Sequence, residues 1–454
     1  MLIVLEVSRL DKAVSTRLVA VVLALVIVVA AVVAYIVLYN PFGPREEIPS
    51  EIRIGTVLPL SGPFSVEGSQ ALLGMQVAVE WVNQHGGVKF KGKQIPFTLK
   101  YYDDQSNPDY AIQLTQKVVT EDKVHIVIHD WGILGEFAAP VTEREGVFSI
   151  QWAGGAEKLM GQGFKYMTSF HAPLTSFYKN VLKVIRDADP NAKTVALIWR
   201  SQPGIELWTA GARTYAAEYG FNLIYDRGYP PDITDASYIL NEIKSLSPDV
   251  LLVSCYPPDG YTIVSQMRDL KVNVKWVACQ VIVVKPEFAE TFNKAAVGFI
   301  QDSHWEPEIK WEDIASQNGV QYVGATNEEL LQIFFERQGT RRRPAAEYGM
   351  AAAQIFLLKK IIEEAQSLEA GKLIEAAKRV DVYTCRGRFK IDPKEPLKQI
   401  GLEAPPIVVQ WQKHGNKLTY EILYPYEAKT ANATPMPTWE EKEGYPTLEI
   451  QFFH

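Results

Sequence analysis

Strand-type and helix-type patterns alternate along most of this chain, and this alternation limits the possible folds more than any other feature. Short apolar runs typical of strands occur at residues 52–57, 97–101, 124–128 and 147–151. Longer segments with apolar residues at helical spacing separate them. Strands that alternate with helices of about ten residues or more favour a parallel sheet with right-handed crossovers. The sequence therefore predicts an α/β protein with helices flanking parallel sheets.

The same alternation resumes after residue 170, and this second block predicts a second sheet. Its expected strands and helices cover residues 193–199, 205–219, 221–226, 235–246, 250–255, 259–270 and 274–278. Two separate blocks match two α/β lobes better than they match one continuous sheet. Beyond them we predict a helical stretch, then short strands, and finally a wrapped or mobile tail, at residues 326–379, 383–424 and 425–454.

The N-terminal part contains an uncharged apolar run of 22 residues, from 18 to 39. At 1.5 Å per residue, a helix of this length spans the ~30 Å hydrocarbon core of a bilayer. Arg9, Lys12 and Arg17 precede the run, and an excess of basic residues on one side places that side in the cytoplasm. We therefore predict a cytoplasmic N-terminus (1–17), a single transmembrane anchor (18–39), a linker (40–50) and an extracytoplasmic remainder. Whether the anchor is cleaved stays open.

The charge and the cysteine content argue against several classes of protein. A formal net charge of −7 gives no basic face for nucleic acid. Cys255, Cys279 and Cys385 show no CxxC spacing, which disfavours zinc, iron–sulfur and disulfide-framework proteins. A single bridge between Cys255 and Cys279 stays open. The histidines show no metal-ligand spacing, and we predict neither a metal nor a cofactor.

The sequence also lacks the common fingerprints of enzymes. No GxGxxG, GxxxxGK[ST] or GxSxG motif occurs, so dinucleotide, P-loop and nucleophile-elbow chemistry has no support. Pairs of carboxylates arise by chance in a chain with 53 acidic residues and carry no argument. We therefore predict that the protein is not an enzyme.

Several segments, taken in order, resemble the leucine/isoleucine/valine-binding protein family. They are IGTVLPLSGP (54–63), GMQVA (74–78) with NQHGGV (83–88), YDDQSNP (102–108), EGV (145–147) and VQW (409–411). The likeness runs from about residue 51 to residue 424. It implies a type I periplasmic-binding-protein fold, with two lobes joined by three crossings near 169–171, 302–304 and 380–386. It also implies a ligand held in the cleft between the lobes and hinge closure on binding.

The resemblance also divides the exported part into lobes. The first lobe would combine residues 51–170 and 303–382, and the second would combine residues 171–302 and 383–424. Residues 425–454 would follow as a C-terminal tail. In open α/β sheets, ligands lie beyond the carboxyl ends of the strands, so the loops at those ends are the expected site.

The site residues follow from the resemblance, position by position. In family members specialised for amino acids, a serine and a threonine hold the α-carboxylate, and here they correspond to Gly132 and Gly155. The tyrosine that meets the ammonium group is kept as Tyr256, whereas the acid beside it becomes Gln280. Tryptophans on the first-lobe loops and an acid on the first turn complete the set. The predicted ligand-binding residues are Tyr256, Gln280, Trp131, Gly132, Trp152, Ala153, Gly155 and Glu67.

The change at position 280 affects the expected ligand. A desolvated ammonium group without a counter-charge is costly, whereas the Gln280 amide suits a neutral polar group. Asp130 or Asp259 either replaces the missing acid or caps the adjoining helix. Arg200 either clamps a ligand carboxylate or is an ordinary loop arginine.

We therefore expect the solute-binding component of an ABC importer. It would capture a branched-chain amino acid, or a related small polar solute such as an amide or a carboxylate, and deliver it to permease and ATPase subunits. The N-terminal helix would hold it at the membrane, and no nucleic acid would bind. The alternative is the ligand-binding ectodomain of a sensor that acts through a separate signalling partner. The sequence leaves the identity of the ligand open.

Overall fold

The computed structural model describes residues 21, 24–33, 48–130, 132–152, 154, 156–202, 204–392 and 407–452. The chain divides into two units, Met1–Pro49 and Ser50–His454, and the second unit contains the sheets. In the first unit, residues 24–33 are helical. The predicted anchor (18–39) lies partly outside the described residues. Within the part of the chain that the structure describes, no helix combines the length and the apolar character needed to cross a membrane.

The N-terminal half of the second unit forms a five-stranded parallel sheet and a small hairpin. The strands are β1 (Ile52–Leu58), β2 (Val88–Phe90), β3 (Lys93–Ile95), β4 (Phe97–Asp103), β5 (Ile126–His129), β6 (Phe148–Gln151) and β7 (Met167–Ser169). The sheet has the order β4-β1-β5-β6-β7, and β2 pairs with β3. Every neighbouring pair in the sheet is parallel, which confirms the predicted α/β pattern.

A second sheet of eight strands follows. Its strands and a separate hairpin are β8 (Thr194–Arg200), β9 (Asn222–Tyr229), β10 (Val250–Ser254), β11 (Trp276–Cys279), β12 (Phe299–Ser303), β13 (Asp381–Thr384), β14 (Gly387–Lys390), β15 (Ile407–His414), β16 (Lys417–Tyr424) and β17 (Glu449–Gln451). The order is β17-β16-β15-β12-β11-β10-β8-β9. The strands from β8 to β12 are parallel, whereas β15 and β16 add in antiparallel orientation.

Helices cover the faces of both sheets. The α-helices of the second unit are Ser65–Gln84, Pro108–Thr120, Gly132–Glu145, Ala156–Gly161, Lys179–Ala188, Ile205–Glu218, Ser237–Leu246, Pro257–Asp269, Pro286–Phe292, Trp311–Gln317, Asn327–Gln338, Ala346–Ala365, Ala370–Ala377 and Trp439–Glu443. Asn107 caps the helix Pro108–Thr120, because its side chain accepts the backbone N–H groups of Asp109 and Tyr110, and Pro108 occupies the first helical position. Helices on both faces explain why β1 and β10 are buried almost throughout.

The chain passes between the sheets at defined points. β7 ends at Ser169 in the first sheet and β8 belongs to the second, so Phe170 and His171 begin one connection. β12 ends at Ser303 in the second sheet, and His304 begins another. The β13–β14 hairpin occupies the position predicted for the third crossing (380–386). From there the chain reaches the second sheet at β15, after residues 393–406, which lie outside the described part.

The C-terminal segment packs against the second sheet. Trp439 is buried, and its indole Nε1 donates to the carbonyl of Val272 at 2.9 Å. Lys442 is also buried, and its Nζ donates to the carbonyl of Ala295 at 2.9 Å. β17 then pairs with β16. The residues predicted to form a wrapped or mobile tail therefore extend the second sheet and cover one of its faces.

Candidate functional site

The carboxyl ends of the parallel strands carry the predicted site residues of both sheets. Gly132 follows β5 and opens the helix Gly132–Glu145 with a φ of +59°, and a Cβ built there would meet nothing within 4 Å. The described residues therefore leave space beside Gly132, and its role in binding stays a prediction. Trp131, Ala153 and Gly155 were predicted beside it, and all three lie outside the described residues.

Trp152 follows β6 and is buried, with 1% of its surface exposed. Its backbone oxygen accepts a hydrogen bond from Nη1 of Arg386 at 2.9 Å. Its indole Nε1 is also buried and has no hydrogen-bond partner among the described residues. A buried N–H group without an acceptor costs about 1–3 kcal/mol, so an acceptor supplied by a ligand would be favourable here.

Tyr256 lies at the carboxyl end of β10 and immediately precedes the helix Pro257–Asp269. Its ring packs against Trp208 at 5.7 Å between centroids, and the Arg200 guanidinium lies 5.5 Å from the ring centre. Burial raises the pKa of Tyr256 to about 12, so the phenol keeps its proton at neutral pH. Tyr256 therefore offers a hydroxyl donor next to an aromatic wall.

Gln280 lies at the carboxyl end of β11 and is buried. Its Nε2 donates to Oδ2 of Asp302 at 2.8 Å, and the same oxygen accepts the backbone N–H of Tyr178 at 2.8 Å. Burial raises the pKa of Asp302 to about 7. The amide of Gln280 is thus directed at an acid of the protein and not at open space.

The alternative acids and the loop arginine have structural partners. Asp259 accepts from Arg200 Nη1 at 2.6 Å and from the Tyr229 hydroxyl at 2.7 Å. It also accepts the backbone N–H of Tyr256 at 3.4 Å, which is the helix-capping role considered for it. Asp130 is buried after β5, where its backbone oxygen accepts from Gln151 Nε2 at 2.8 Å. Arg200 and Asp259 therefore satisfy each other.

Glu67 bridges elements that belong to different sheets. It lies in the first turn of the helix Ser65–Gln84, and its Oε1 is 3.4 Å from Nζ of Lys285. Lys285 follows β11 of the second sheet, and its side chain is three-quarters buried. Glu67 therefore has a lysine partner across the space between the sheets, in addition to the ligand role predicted for it.

A row of five aromatic rings, which the sequence did not reveal, extends from the first two crossings to Tyr256. We call these residues the aromatic row: His171, His304, Phe177, Trp208 and Tyr256. The ring centroids of successive members are 4.4, 5.2, 5.1 and 5.7 Å apart. Aromatic walls of this kind are usual in small-molecule sites.

The histidines of the aromatic row make a prediction for acid stability. Burial, together with the charge of Arg386, lowers the pKa of His304 to about 3 and that of His171 well below 6.5. Since a lowered folded-state pKa stabilises the protein above the unfolded value of about 6.5, this stability is lost as the pH falls towards 3. Between pH 7 and pH 5, the free energy of unfolding of His304→Gln, measured with urea, should therefore fall by roughly 1–2 kcal/mol less than that of the wild type. The exposed-site variant His85→Gln should follow the wild type, and equal losses in all three proteins would contradict the prediction.

Comparison with known proteins identifies the architecture. Residues 51–416 match the sequence model of the family described as periplasmic binding protein. The chain belongs to this family. The match confirms the resemblance found in the sequence, and the family and fold are those of transporter substrate-binding proteins and not of enzymes.

Two curated relatives show the range of similarity to this periplasmic binding protein. Leu/Ile/Val-binding protein homolog 7 of Brucella abortus is 22% identical over 234 residues, which cover 48% of this chain and 56% of the relative. The chain thus spans little more than half the length of that relative. A leucine-, isoleucine-, valine-, threonine- and alanine-binding protein of Pseudomonas aeruginosa is 20% identical over 372 residues, which cover 81% of this chain and 91% of the relative.

Solved structures show the same fold. An ABC transporter substrate-binding protein from Sphaerobacter thermophilus superposes with a TM-score of 0.66 at 17% identity, covering 86% of this chain and 98% of the other. A branched-chain amino acid transporter substrate-binding protein from Streptococcus pneumoniae, in complex with isoleucine, superposes with a TM-score of 0.62 at 20% identity. The match covers 82% of this chain and 99% of the other. At such identities, these likenesses establish the type I fold of this periplasmic binding protein.

Proposed function

We propose that this periplasmic binding protein captures a small polar solute between its two sheets and delivers it to the permease of an ABC importer. The solute class is a branched-chain amino acid or a related amide or carboxylate. The residues around the first sheet and those around the second act as two lobes, and they close over the solute by a hinge movement. A separate ATPase subunit drives the transport step.

The observation that carries this proposal is a set of buried polar atoms without partners at the aromatic row and beside it. Among the described residues, Trp152 Nε1 and Trp208 Nε1 have no acceptor, and both tryptophans are nearly inaccessible to solvent. Trp208 belongs to the second-sheet side of the molecule, and Trp152 follows β6 of the first sheet. Two unpaired indole donors from opposite sides match a solute that brings acceptor atoms, because leaving them unpaired is costly.

The ion pair between Glu67 and Lys285 supports closure. It joins a helix of the first-sheet side to a loop of the second-sheet side, so it can form only when the two sides are close. The rings of His171 and His304 are in contact, 4.4 Å apart between centroids, where the first two connections begin, which supports a hinge at that place. Closure excludes water and strengthens each polar contact to the solute.

Membrane attachment through residues 18–39 is part of the same proposal. In the described piece of that run, residues 24–33 are helical, and apolar side chains such as Leu25, Ile27 and Val29 are more than half exposed. A continuous apolar surface of this kind matches a lipid environment. Anchoring would keep the loaded protein near its permease, outside the cytoplasm.

Thermal unfolding of the purified full-length protein, in detergent, tests solute binding. Leucine, isoleucine, valine, neutral amides, carboxylates and sugars would be added one at a time. A solute at 100 times its dissociation constant adds about 2.7 kcal/mol of stability, which raises the melting temperature measurably. We expect at least one amino acid, amide or carboxylate to do so. Sugars alone raising the melting temperature, or no solute raising it, would contradict the proposal.

A further inference from the structure

Arg386 is a buried cation that no acid among the described residues pairs with. It lies in the turn between β13 and β14, and only 4% of its surface is exposed. Its guanidinium donates from Nη1 to the backbone oxygen of Trp152 and packs 5.5 Å from the ring centre of Phe170. Within the described residues it forms no ion pair with a carboxylate. A buried charge is costly unless it is paired, so a counter-charge supplied from outside the described residues would be favourable here.

Other arginines of the same region show how unusual this is. Arg343 is equally buried, but it forms ion pairs with Glu306 and Glu308. Arg388, two residues after Arg386 in the same hairpin, holds Asp381 with two hydrogen bonds of 2.7 and 2.8 Å. Burial lowers the pKa of Arg386 to about 9, which still leaves the guanidinium charged at neutral pH. No acid among the described residues pairs with Arg386, so its positive charge is available to a group that a ligand supplies.

Arg386 lies at the end of the aromatic row. Its guanidinium packs against Phe170, the residue immediately before His171, which places it near these rings. Burial, with a smaller contribution from this charge, lowers the pKa values of His171 and His304, so both are neutral at pH 7 and Arg386 is the positive group at this end of the row. The Trp152 carbonyl fixes its orientation on the side of the first sheet. The surroundings combine one fixed positive charge, an unpaired indole N–H and flat apolar walls.

We infer that Arg386 binds the carboxylate of the solute and that the solute is a monocarboxylate whose apolar body lies along the aromatic row. This rests on the proposed function and narrows it. One unpaired guanidinium matches one negative charge, and its fork of N–H donors matches the two oxygens of a carboxylate. Phosphate dianions would need a second cation, for which the aromatic row offers none among the described residues.

The opposite side of the site explains why an ammonium group is not required. The acid expected beside Tyr256 is replaced by Gln280, whose amide donates to Asp302. Burial raises the pKa of Asp302 to about 7, and its Oδ2 already accepts from the Gln280 amide and from the backbone N–H of Tyr178. Arg386 therefore offers a cation for a carboxylate of the solute, whereas position 280 offers no carboxylate for an ammonium group of the solute. A carboxylate that lacks the α-amino group fits this balance better than a zwitterionic amino acid does.

The test compares matched solutes and matched variants of the full-length protein by isothermal titration calorimetry. The solutes are benzoate with benzamide, 4-methylpentanoate with 4-methylpentanamide, and leucine. The variants are Arg386→Gln, Arg386→Lys and, as the control from the same hairpin, Arg388→Gln. We expect carboxylates to bind the wild type at least ~30-fold more tightly than their amides, and Arg386→Gln to lose this preference. Arg388→Gln should keep it, and Arg386→Lys should retain part of it.

Other results would overturn the inference in distinguishable ways. Amides that bind the wild type as tightly as carboxylates would remove the carboxylate assignment and leave the proposed solute-binding function in place. Leucine binding more tightly than 4-methylpentanoate would show that an ammonium group is recognised. An unchanged carboxylate affinity in Arg386→Gln would exclude this arginine. If no solute of any class bound to the folded wild type, the inference and the proposed function would both fail. The comparison of carboxylates with amides in the wild type needs no variant, so a misfolded variant does not affect it.

Discussion

Arg343→Met is expected to lower the free energy of unfolding by about 3–5 kcal/mol. The Arg343 side chain is 5% exposed and forms ion pairs with two nearly inaccessible acids, Glu306 and Glu308. The Tyr420 hydroxyl of β16 donates to Glu306 at 3.0 Å, so this cluster also ties the second sheet to the chain that follows β12. Removing the arginine leaves two buried carboxylates without a cation, and the loss of their partner is the costly step.

The adjacent arginine provides the control. Arg342 also forms two ion pairs, with Glu287 and Glu290, but all three side chains are about half exposed. Exposed pairs contribute about 0–1 kcal/mol, so Arg342→Met should remain close to the wild type. Urea unfolding at neutral pH, followed by circular dichroism, measures both variants. A difference of less than about 1 kcal/mol between them would show that burial does not govern the strength of these pairs.

Gly74→Ala is expected to lower the free energy of unfolding by at least about 2 kcal/mol. Gly74 lies where the helix Ser65–Gln84 packs against the helix Ala346–Ala365, and a Cβ there would lie 2.0 Å from the backbone oxygen of Tyr348. The obstacle is backbone, so the two helices must separate, and overpacking this close costs about 3 kcal/mol or more, at or above the upper end of the usual range. The gain in helix propensity from glycine to alanine, at most about 1 kcal/mol, does not offset it.

Gly161→Ala is the matched control for this substitution. Gly161 ends the helix Ala156–Gly161, and a Cβ there would meet nothing within 4 Å. The same methyl group should therefore leave stability within about 0.5 kcal/mol of the wild type, or raise it slightly. Melting temperatures of the two variants under identical conditions make the comparison. Equal destabilisation by both substitutions would mean that loss of glycine, and not the close approach of the helices, is responsible.

Much of the fold could be predicted from local patterns in the sequence. The apolar runs at β1, β4 and β10 each depend on neighbouring residues, and the structure contains these strands where they were expected. The antiparallel addition of β15 to β12 was not predicted. It depends on pairing between residues more than one hundred positions apart, which no local pattern records.

The candidate site was predicted only where a strand end and a family position coincide. Tyr256 and Trp152 follow strand ends, as expected, and their roles in binding stay predictions. His304 and Trp208 come from different elements, and no spacing in the sequence connects them. Arg386 was missed for another reason: it stands two positions from Arg388, and the sequence does not show that one arginine is buried and the other is paired with Asp381.

Solute-dependent closure is the central claim, and a distance measurement tests it most directly. Tyr110 and Tyr238 are exposed near the starts of helices that follow β4 and β9, at the carboxyl edges of the two sheets. Spin labels at Tyr110→Cys and Tyr238→Cys would report the distance between these two edges. The native cysteines Cys255, Cys279 and Cys385 are all buried, so labelling is directed to the two new sites. Double electron–electron resonance would then be recorded with and without a solute that raises the melting temperature. We predict a shift to one shorter distance at saturation. An identical distance distribution with and without bound solute would contradict closure between the two sheets.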